Sequence, residues 1–275
     1  MRPINQASEF GWLERGFEPI SLDVLNGKAE MLSRIDNKYV VDRHALQAIL
    51  PALAQDFDIL EIENCRAFVY ETSYFDDRNN SAYYEHHQGL RKGFKVRVRH
   101  YTDTDACFLE VKVKGKRGRT LKFRQPYEVA MMQELDQQAR SFARDTYAQH
   151  YGKPFNYDLR QALNIRYKRT TLVAKSGGER MTIDAAMEFR NADRSFCTSP
   201  DVFIVETKSA LGRGTADLLL RRTHSRPTRK CSKYCIGMAV LGEVSRWNRF
   251  MPTMRLLQMV DGNQLISSVP RRLAA

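Results

Sequence analysis

The 275-residue sequence predicts an α+β protein on an antiparallel sheet, closed into a barrel with a charged lumen and helices packed outside. Three observations lead there. About eight strand signals occur with few helices between them, unlike the alternation of a βαβ array. Three of those segments place charge on every second residue. Residues 89–124 hold twelve Lys or Arg against three acids, Asp103, Asp105 and Glu110, although like charges opposite one another destabilise a sheet.

The elements follow in order. Residues 1–30 read as a loosely structured or helical lead-in. A strand is expected near 34–41, through Arg34-Ile35-Asp36-Asn37-Lys38-Tyr39. A helix over 42–55 has Asp42 as N-cap and Pro51 to bend or shorten it. After a strand at 66–75 comes 94–101, Phe94-Lys95-Val96-Arg97-Val98-Arg99-His100-Tyr101. Successive strand side chains point to opposite faces. Lys95, Arg97 and Arg99 therefore share one face, and Phe94, Val96 and Val98 the other. Residues 107–114 repeat the arrangement with Glu110, Lys112 and Lys114, and 119–129 with Lys122 and Arg124. A helix is expected over 129–150. Strands then follow near 163–174, 179–186 and 202–208, and helices near 214–223 and 232–248, the last with Ser232 as N-cap. The tail after Pro252 is weakly patterned.

Such strands can close in two ways. The usual way puts the apolar face inside. The alternative puts the charges in the lumen and covers the apolar outside with helices, and the consistency and sign of these charges favour it. An eight-stranded barrel has room for side chains or a slender ligand, and a linear phosphate chain is slender. One domain over 1–275, with its core at about 20–245, accounts for the pattern.

A net charge of +12 and a pI near 9.6 call for an anionic partner: nucleic acid, polyphosphate, nucleotide or anionic lipid. Nucleic acid is disfavoured, because RNA readers stack bases on exposed aromatics. Tyr83, Tyr84 and Tyr101 are available, but no such aromatic pattern appears. No apolar run reaches the length of a spanning helix, and no signal peptide is read at the N-terminus. Five scattered cysteines suit a reducing compartment, so a cytoplasmic location is expected. Cys231 and Cys235 read as small core thiols rather than zinc ligands.

Glu206 interrupts the apolar strand Val202-Phe203-Ile204-Val205-Glu206-Thr207-Lys208. A buried carboxylate is costly unless paired or bound to metal, and a phosphate site needs a divalent cation with oxygen ligands. Glu206 is the first candidate ligand for Mn²⁺ or Mg²⁺, and Glu110 and Asp184 are candidates for the second. Arg180, Thr182 and Asp184 share a face. Arg166 and Arg169 lie on opposite faces of one strand, so alternation alone leaves open which faces inward. Arg offers bidentate donors to phosphate, and Lys a point charge. Residues 221–233 carry six basic residues and no acid. They end at Ser232-Lys233, where a helix start would present N–H groups to phosphate. Gly115-Lys116-Arg117-Gly118 is not a P-loop, and Gly212-Arg213-Gly214 lacks the third glycine of a dinucleotide fingerprint. Basic side chains must then do what backbone amides do in other phosphoryl-transfer sites.

Eight short motifs occur in an order similar to that of the VTC domain, the catalytic domain of the vacuolar transporter chaperone polyphosphate polymerase. They are Arg34-Ile35-Asp36-Asn37-Lys38-Tyr39, Tyr74-Phe75-Asp76, Lys95-Val96-Arg97-Val98-Arg99, Glu110-Val111-Lys112, Tyr167-Lys168-Arg169, Arg180-Met181-Thr182-Ile183-Asp184, Val205-Glu206-Thr207-Lys208 and Ser232-Lys233-Tyr234. The domain is one of the triphosphate tunnel metalloenzymes, the superfamily of the CYTH proteins. The resemblance runs from about residue 20 to 245. It implies a tunnel of eight antiparallel strands that moves the γ-phosphate of ATP onto a growing polyphosphate chain. ATP, triphosphate and polyphosphate are the implied ligands. Carried onto this chain, it implies that Lys38, Arg97, Arg99, Lys112, Arg169, Arg180 and Lys233 bind phosphate and that Glu206 holds the metal. It picks Arg169 over Arg166. Arg34, Lys95, Lys114, Lys122, Arg166, Lys208 and Ser232 complete the set of candidate binding residues. Tunnel hydrolases resemble one another in a Glu-x-Glu-x-Lys first strand. Here that strand keeps one acid and has Arg34 in place of the other, which favours polymerase over triphosphatase. The eukaryotic polymerase works beside membrane segments and an SPX domain. Neither is read in these residues, so a separate membrane-protein partner is the form such coupling would take.

Overall fold

A computed structural model describes residues 10–28, 34–115, 120–261 and 264–265. Residues 1–9 of the lead-in, the end of the tail, and Lys116, Arg117 and Gly118 lie outside the described residues. In chain order the strands are β1 (Glu18–Ile20), β2 (Ile35–Asp42), β3 (Phe57–Leu60), β4 (Ala67–Asp76), β5 (Phe94–Tyr101), β6 (Ala106–Lys114) and β7 (Thr120–Pro126). They continue with β8 (Arg160–Ala174), β9 (Arg180–Arg190), β10 (Ser195–Thr198), β11 (Val202–Ser209), β12 (Met259–Asp261) and β13 (Gln264–Leu265). The helices are α1 (Leu22–Lys28), α2 (Arg43–Asp56), α3 (Ser81–Gln88), α4 (Gln137–Tyr151), α5 (Thr215–Arg222), α6 (Lys233–Val240) and α7 (Met251–Leu256).

The α+β class holds, with thirteen strands among the described residues where about eight were expected. The sheet path runs β13-β12-β10-β9-β8-β4-β5-β6-β7. β11 pairs with β2 and β9, and β3 with β1 and β8. Among the described residues the pairings leave this path open and do not join its ends, so the expected ring of eight strands is not formed. The additional strands β1, β3, β10, β12 and β13 are two to four residues long, too short for an alternation to register.

The chain falls into two compact units. Among the described residues, the first comprises those up to 68, 168–185 and 200–229; the second comprises those from 69 to 167, 186–199 and from 230 onward. β8 and β9 contribute to both. In the first unit, the apolar faces of β2 and β11 (Tyr39, Val41, Phe203, Val205) pack against Leu46, Ile49, Leu50 and Leu53 of α2 and Ala216 and Leu220 of α5. In the second, Val96 and Val98 of β5 and Leu109, Val111 and Val113 of β6 pack under Ala139, Ala143 and Tyr147 of α4. Helices thus cover the apolar sheet faces, as the inverted pattern requires.

Asp42 caps α2 through Ala45 N at 2.8 Å, and the helix continues past Pro51 to Asp56. The expected 129–150 helix starts at Gln137 instead, because Asp136 is the residue that caps it, through Ala139 N. α6 ends at Val240 rather than 248, and a turn at Gly242 (φ +77°) follows it. α3 was not expected, since Ser81-Ala82-Tyr83-Tyr84-Glu85-His86-His87-Gln88 has little apolar periodicity. The buried Asp76 carboxylate anchors it by accepting Ala82 N at 2.9 Å and Tyr83 N at 3.0 Å. Tyr83 is consequently core rather than an exposed stacking platform. Among the described residues no helix is long and apolar enough to cross a membrane.

Candidate functional site

The first unit carries a charged cluster on the polar face of β2, β11 and β9. Antiparallel register sets Lys38 opposite Glu206 and Asp36 opposite Lys208. It also sets Thr182 opposite Glu206 and Arg180 opposite Lys208. The Glu206 carboxylate lies 3.6 Å from Lys38 Nζ and 3.5 Å from Lys208 Nζ. Arg34 Nε is 3.4 Å from Asp36. Burial, and after it the Glu206 charge, push the Asp36 carboxyl above its ordinary range. Burial lowers Lys208, partly offset by Glu206. Arg169 forms a two-pronged pair with Asp184, Nε to Oδ1 at 2.6 Å and Nη2 to Oδ2 at 2.8 Å.

The opposite face of β2 and β11 is pinned by Asp217 of α5, a residue that sequence reasoning missed. Its Oδ1 accepts Tyr39 OH at 2.6 Å, Thr207 Oγ1 at 2.8 Å and Asn37 Nδ2 at 2.9 Å. Its Oδ2 accepts Gly214 N at 3.1 Å. Burial raises the Asp217 carboxyl, but the bonds from Tyr39, Asn37 and Thr207 outweigh it and hold it low. An acid in the first turn of a helix looks like ordinary capping, so nothing local marks this anchor. The other edge of β2 is covered where Thr228 N donates to Lys38 O and Val40 N donates to Thr228 Oγ1.

The second unit carries a larger basic face. The turn Thr102–Asp105, with Asp105 in the left-handed region at φ +50°, sets the β5–β6 register. That register places Lys95 opposite Lys112 and Arg97 opposite Glu110. β7 adds Lys122 opposite Lys112 and Arg124 opposite Glu110. Three lysines, Lys95, Lys112 and Lys122, therefore stand in one row across three adjacent strands. Arg97 lies opposite Tyr74, and Arg99 opposite Thr72.

Glu110 is fully buried beneath this face. Arg97 donates to its Oε2, from Nε at 2.7 Å and with Nη2 at 2.5 Å, and Lys122 Nζ lies 3.5 Å from Oε1. Burial alone would raise its carboxyl. Arg97 first, then Arg99, Lys122 and Lys112, hold it well below the usual carboxylate range. Tyr74 accepts from Arg97 Nη1 at 3.0 Å. Burial raises its phenol, but Arg97 and Arg99 outweigh that and lower it. Ser232 caps α6 through Cys235 N and accepts Lys95 Nζ at 2.8 Å. Lys233 Nζ sits 5.0 Å above the Tyr167 ring. Lys114 Nζ is tied to Leu90 O at 2.5 Å, and Arg166, mostly exposed, to Glu71 at 3.2 Å.

Among the described residues no three His, Cys, Asp or Glu side chains converge as a metal cluster. Glu110 and Asp184, the candidates for a second ligand, are each engaged by an arginine. The pair that does come together is Glu206 with Asp36. Two hard carboxylates in mutual repulsion are a donor set that a divalent cation relieves, and Mg²⁺ sites commonly use one or two carboxylates plus phosphate oxygens. The residues present fit such an ion. Asp36 was legible as the retained acid of the first strand, but only the register brings it to Glu206.

A family profile, that of the VTC domain, matches residues 33–242. A comparison with curated proteins finds no match. Among solved structures, the chain is similar to a Hippeastrum protein, HpAC1, described as a candidate adenylyl cyclase with a dominant triphosphatase activity. The identity is 13%, the TM-score 0.49, and the match covers 74% of this chain and 94% of that one. It is also similar to a candidate adenylate cyclase of Bacillus halodurans, at 12% identity and TM-score 0.45 over 73% and 95% of the two chains. A Pyrococcus horikoshii protein, PH1819, matches at 12% identity and TM-score 0.42 over 77% and 99%.

Proposed function

The chain belongs to the VTC-domain family, and we propose that it is a metal-dependent polyphosphate polymerase that transfers the γ-phosphate of ATP to a growing chain. The observation that carries this reading is the row of opposed lysines Lys95, Lys112 and Lys122 beside Arg97 and Arg99. Like charges directly opposite one another destabilise a sheet, so such a row is favoured only if an anion of matching charge density lies along it. A linear phosphate chain is that anion.

In this reading Arg97 and Arg99 grip the phosphoryl group in transfer. Lys95, Lys112 and Lys122 hold the acceptor chain and Lys233 neutralises further phosphate charge; in the first unit, Lys38, Arg169 and Arg180 are the residues that would bind phosphate. An oxygen of the chain's terminal phosphate attacks the γ-phosphorus of ATP. The bond from that phosphorus to the bridging oxygen breaks, and ADP leaves with the electron pair. One phosphoanhydride forms as another is lost, and the nucleophile is already anionic. The residues therefore supply alignment and charge neutralisation and need remove no proton. Glu206 and Asp36 would hold Mn²⁺ or Mg²⁺, which when bound neutralises phosphate oxygens. Arg34, in place of a second acid beside Asp36, supports a phosphate acceptor over an activated water. Incubation of the purified protein with ATP and Mn²⁺, followed by gel resolution of the products, tests the reading. A ladder of polyphosphate with ADP is expected; free phosphate without polymer would make the protein a triphosphatase instead.

A further inference from the structure

The basic face of the second unit is not uniform along its strands. Its rows run from Lys95–Lys112–Lys122 through Tyr74–Arg97–Glu110–Arg124 and Thr72–Arg99–Phe108 to Tyr70–Tyr101. Charge gives way to aromatic surface in that direction. At the far end Tyr101 meets Tyr70 edge-on at 4.8 Å and Phe108 at 6.1 Å, and Tyr70 stacks on Tyr167 at 5.3 Å. Arg99 lies 5.5 Å over Tyr70, and Arg124 4.8 Å over Phe108. Tyr70, Tyr101 and Phe108 are each half-buried. The turn beyond them carries Asp103 and Asp105, two of the three acids in residues 89–124. A phosphate chain is repelled there, whereas an uncharged ring is not.

From the proposed phosphate-transfer site we infer that the face has a direction: the adenine of ATP stacks on Tyr101 and Phe108, and the polyphosphate chain runs the other way, toward the Lys95–Lys112–Lys122 row. The spacing agrees. At a strand rise of about 3.4 Å per residue, Tyr101 lies roughly 14 Å from Arg97 along β5, the reach of an extended nucleoside triphosphate from γ-phosphate to base. Aromatic side chains accept any base by its π-face, so the platform adds affinity for nucleotides without strong choice among bases.

Titration calorimetry with two ligands, ATP and inorganic triphosphate, separates the base from the phosphates. Tyr101→Ala and Phe108→Ala should each weaken ATP about tenfold, the effect of losing one base–aromatic stack, and leave triphosphate affinity within twofold. Tyr101→Phe, which keeps the ring, should bind both as the parent does and guards against a folding defect in the alanine variant. Lys112→Ala should weaken a long polyphosphate more than it weakens ATP. Unchanged ATP binding in both alanine variants, or equal loss for ATP and triphosphate, overturns the direction while the phosphate site stands. Failure of the parent protein to bind triphosphate overturns the phosphate site and the inference with it.

Discussion

Replacing Glu110 by Gln removes a buried negative charge that pairs with Arg97 beneath the basic face of the second unit. The carboxylate is 0% exposed and the Arg97 side chain 8%, with Lys122 3.5 Å away. Breaking a buried pair by removing one partner costs about 3–5 kcal/mol, because the remaining charge is left uncompensated. For a chain of this size each kcal/mol lowers the melting temperature by roughly 2–4 °C, so Glu110→Gln should melt of the order of 6–20 °C below the parent. The lost anion can be replaced from solution. Triphosphate should therefore raise the melting temperature of the variant more than that of the parent. The pH dependence has a definite sign. Glu110 has a folded pKa below its ordinary 4.5, so its stabilisation is complete above that value and is lost as pH falls toward the folded pKa. The gap between parent and variant should then narrow below about pH 4.5. Differential scanning fluorimetry over pH 3–8, with and without triphosphate, measures all three effects. A variant as stable as the parent, or an equal triphosphate shift in both, would refute the argument that this face is balanced for an added polyanion.

Four further outcomes are expected. Glu206→Gln should abolish polymer synthesis while triphosphate binding persists in calorimetry; an active variant would remove Glu206 from the metal site. Arg34→Glu, which adds a second acid beside Asp36, should shift ATP turnover toward free phosphate, read as the ratio of phosphate to polymer on a gel. Burial, and after it Lys95, push the His86 imidazole down to about 2 from 6.5, so the folded state resists a proton that the unfolded chain accepts. Stability should be unaffected above pH 6.5 and fall by about 2 kcal/mol at pH 5, and His86→Phe, which keeps the stack on Phe250, should remove that component of the slope in denaturant titrations. A Cβ on Gly237 would stand 2.8 Å from Leu163 Cδ1 and 2.9 Å from Phe189 Cδ1, so Gly237→Ala should cost about 1–3 kcal/mol in urea unfolding.

The sequence alone determined which residues share a face. Alternation is a local property, and Lys95, Arg97 and Arg99, or Glu206 and Lys208, lie together in any strand that contains them. Caps are local too, and Asp42 and Ser232 start the helices expected of them. The order of short motifs likewise pointed to the VTC-domain family before any contact was known. What tertiary structure decided is partnership across strands. One residue of slip in the Thr102–Asp105 turn would break up the row of Lys95, Lys112 and Lys122 and part Glu110 from Arg97, yet leave every local pattern intact. The same holds for the carboxylates: Glu110 and Asp184 are engaged by arginines and Asp36 comes to Glu206 because of register, a long-range quantity. The roles of Asp217 and Asp76 could not be read for a related reason. Asp217 takes donors from Asn37 and Tyr39 on β2, and Asp76 takes the Tyr234 hydroxyl from α6 besides the nearby Ala82 and Tyr83 amides, so those partners exist only once distant elements have packed.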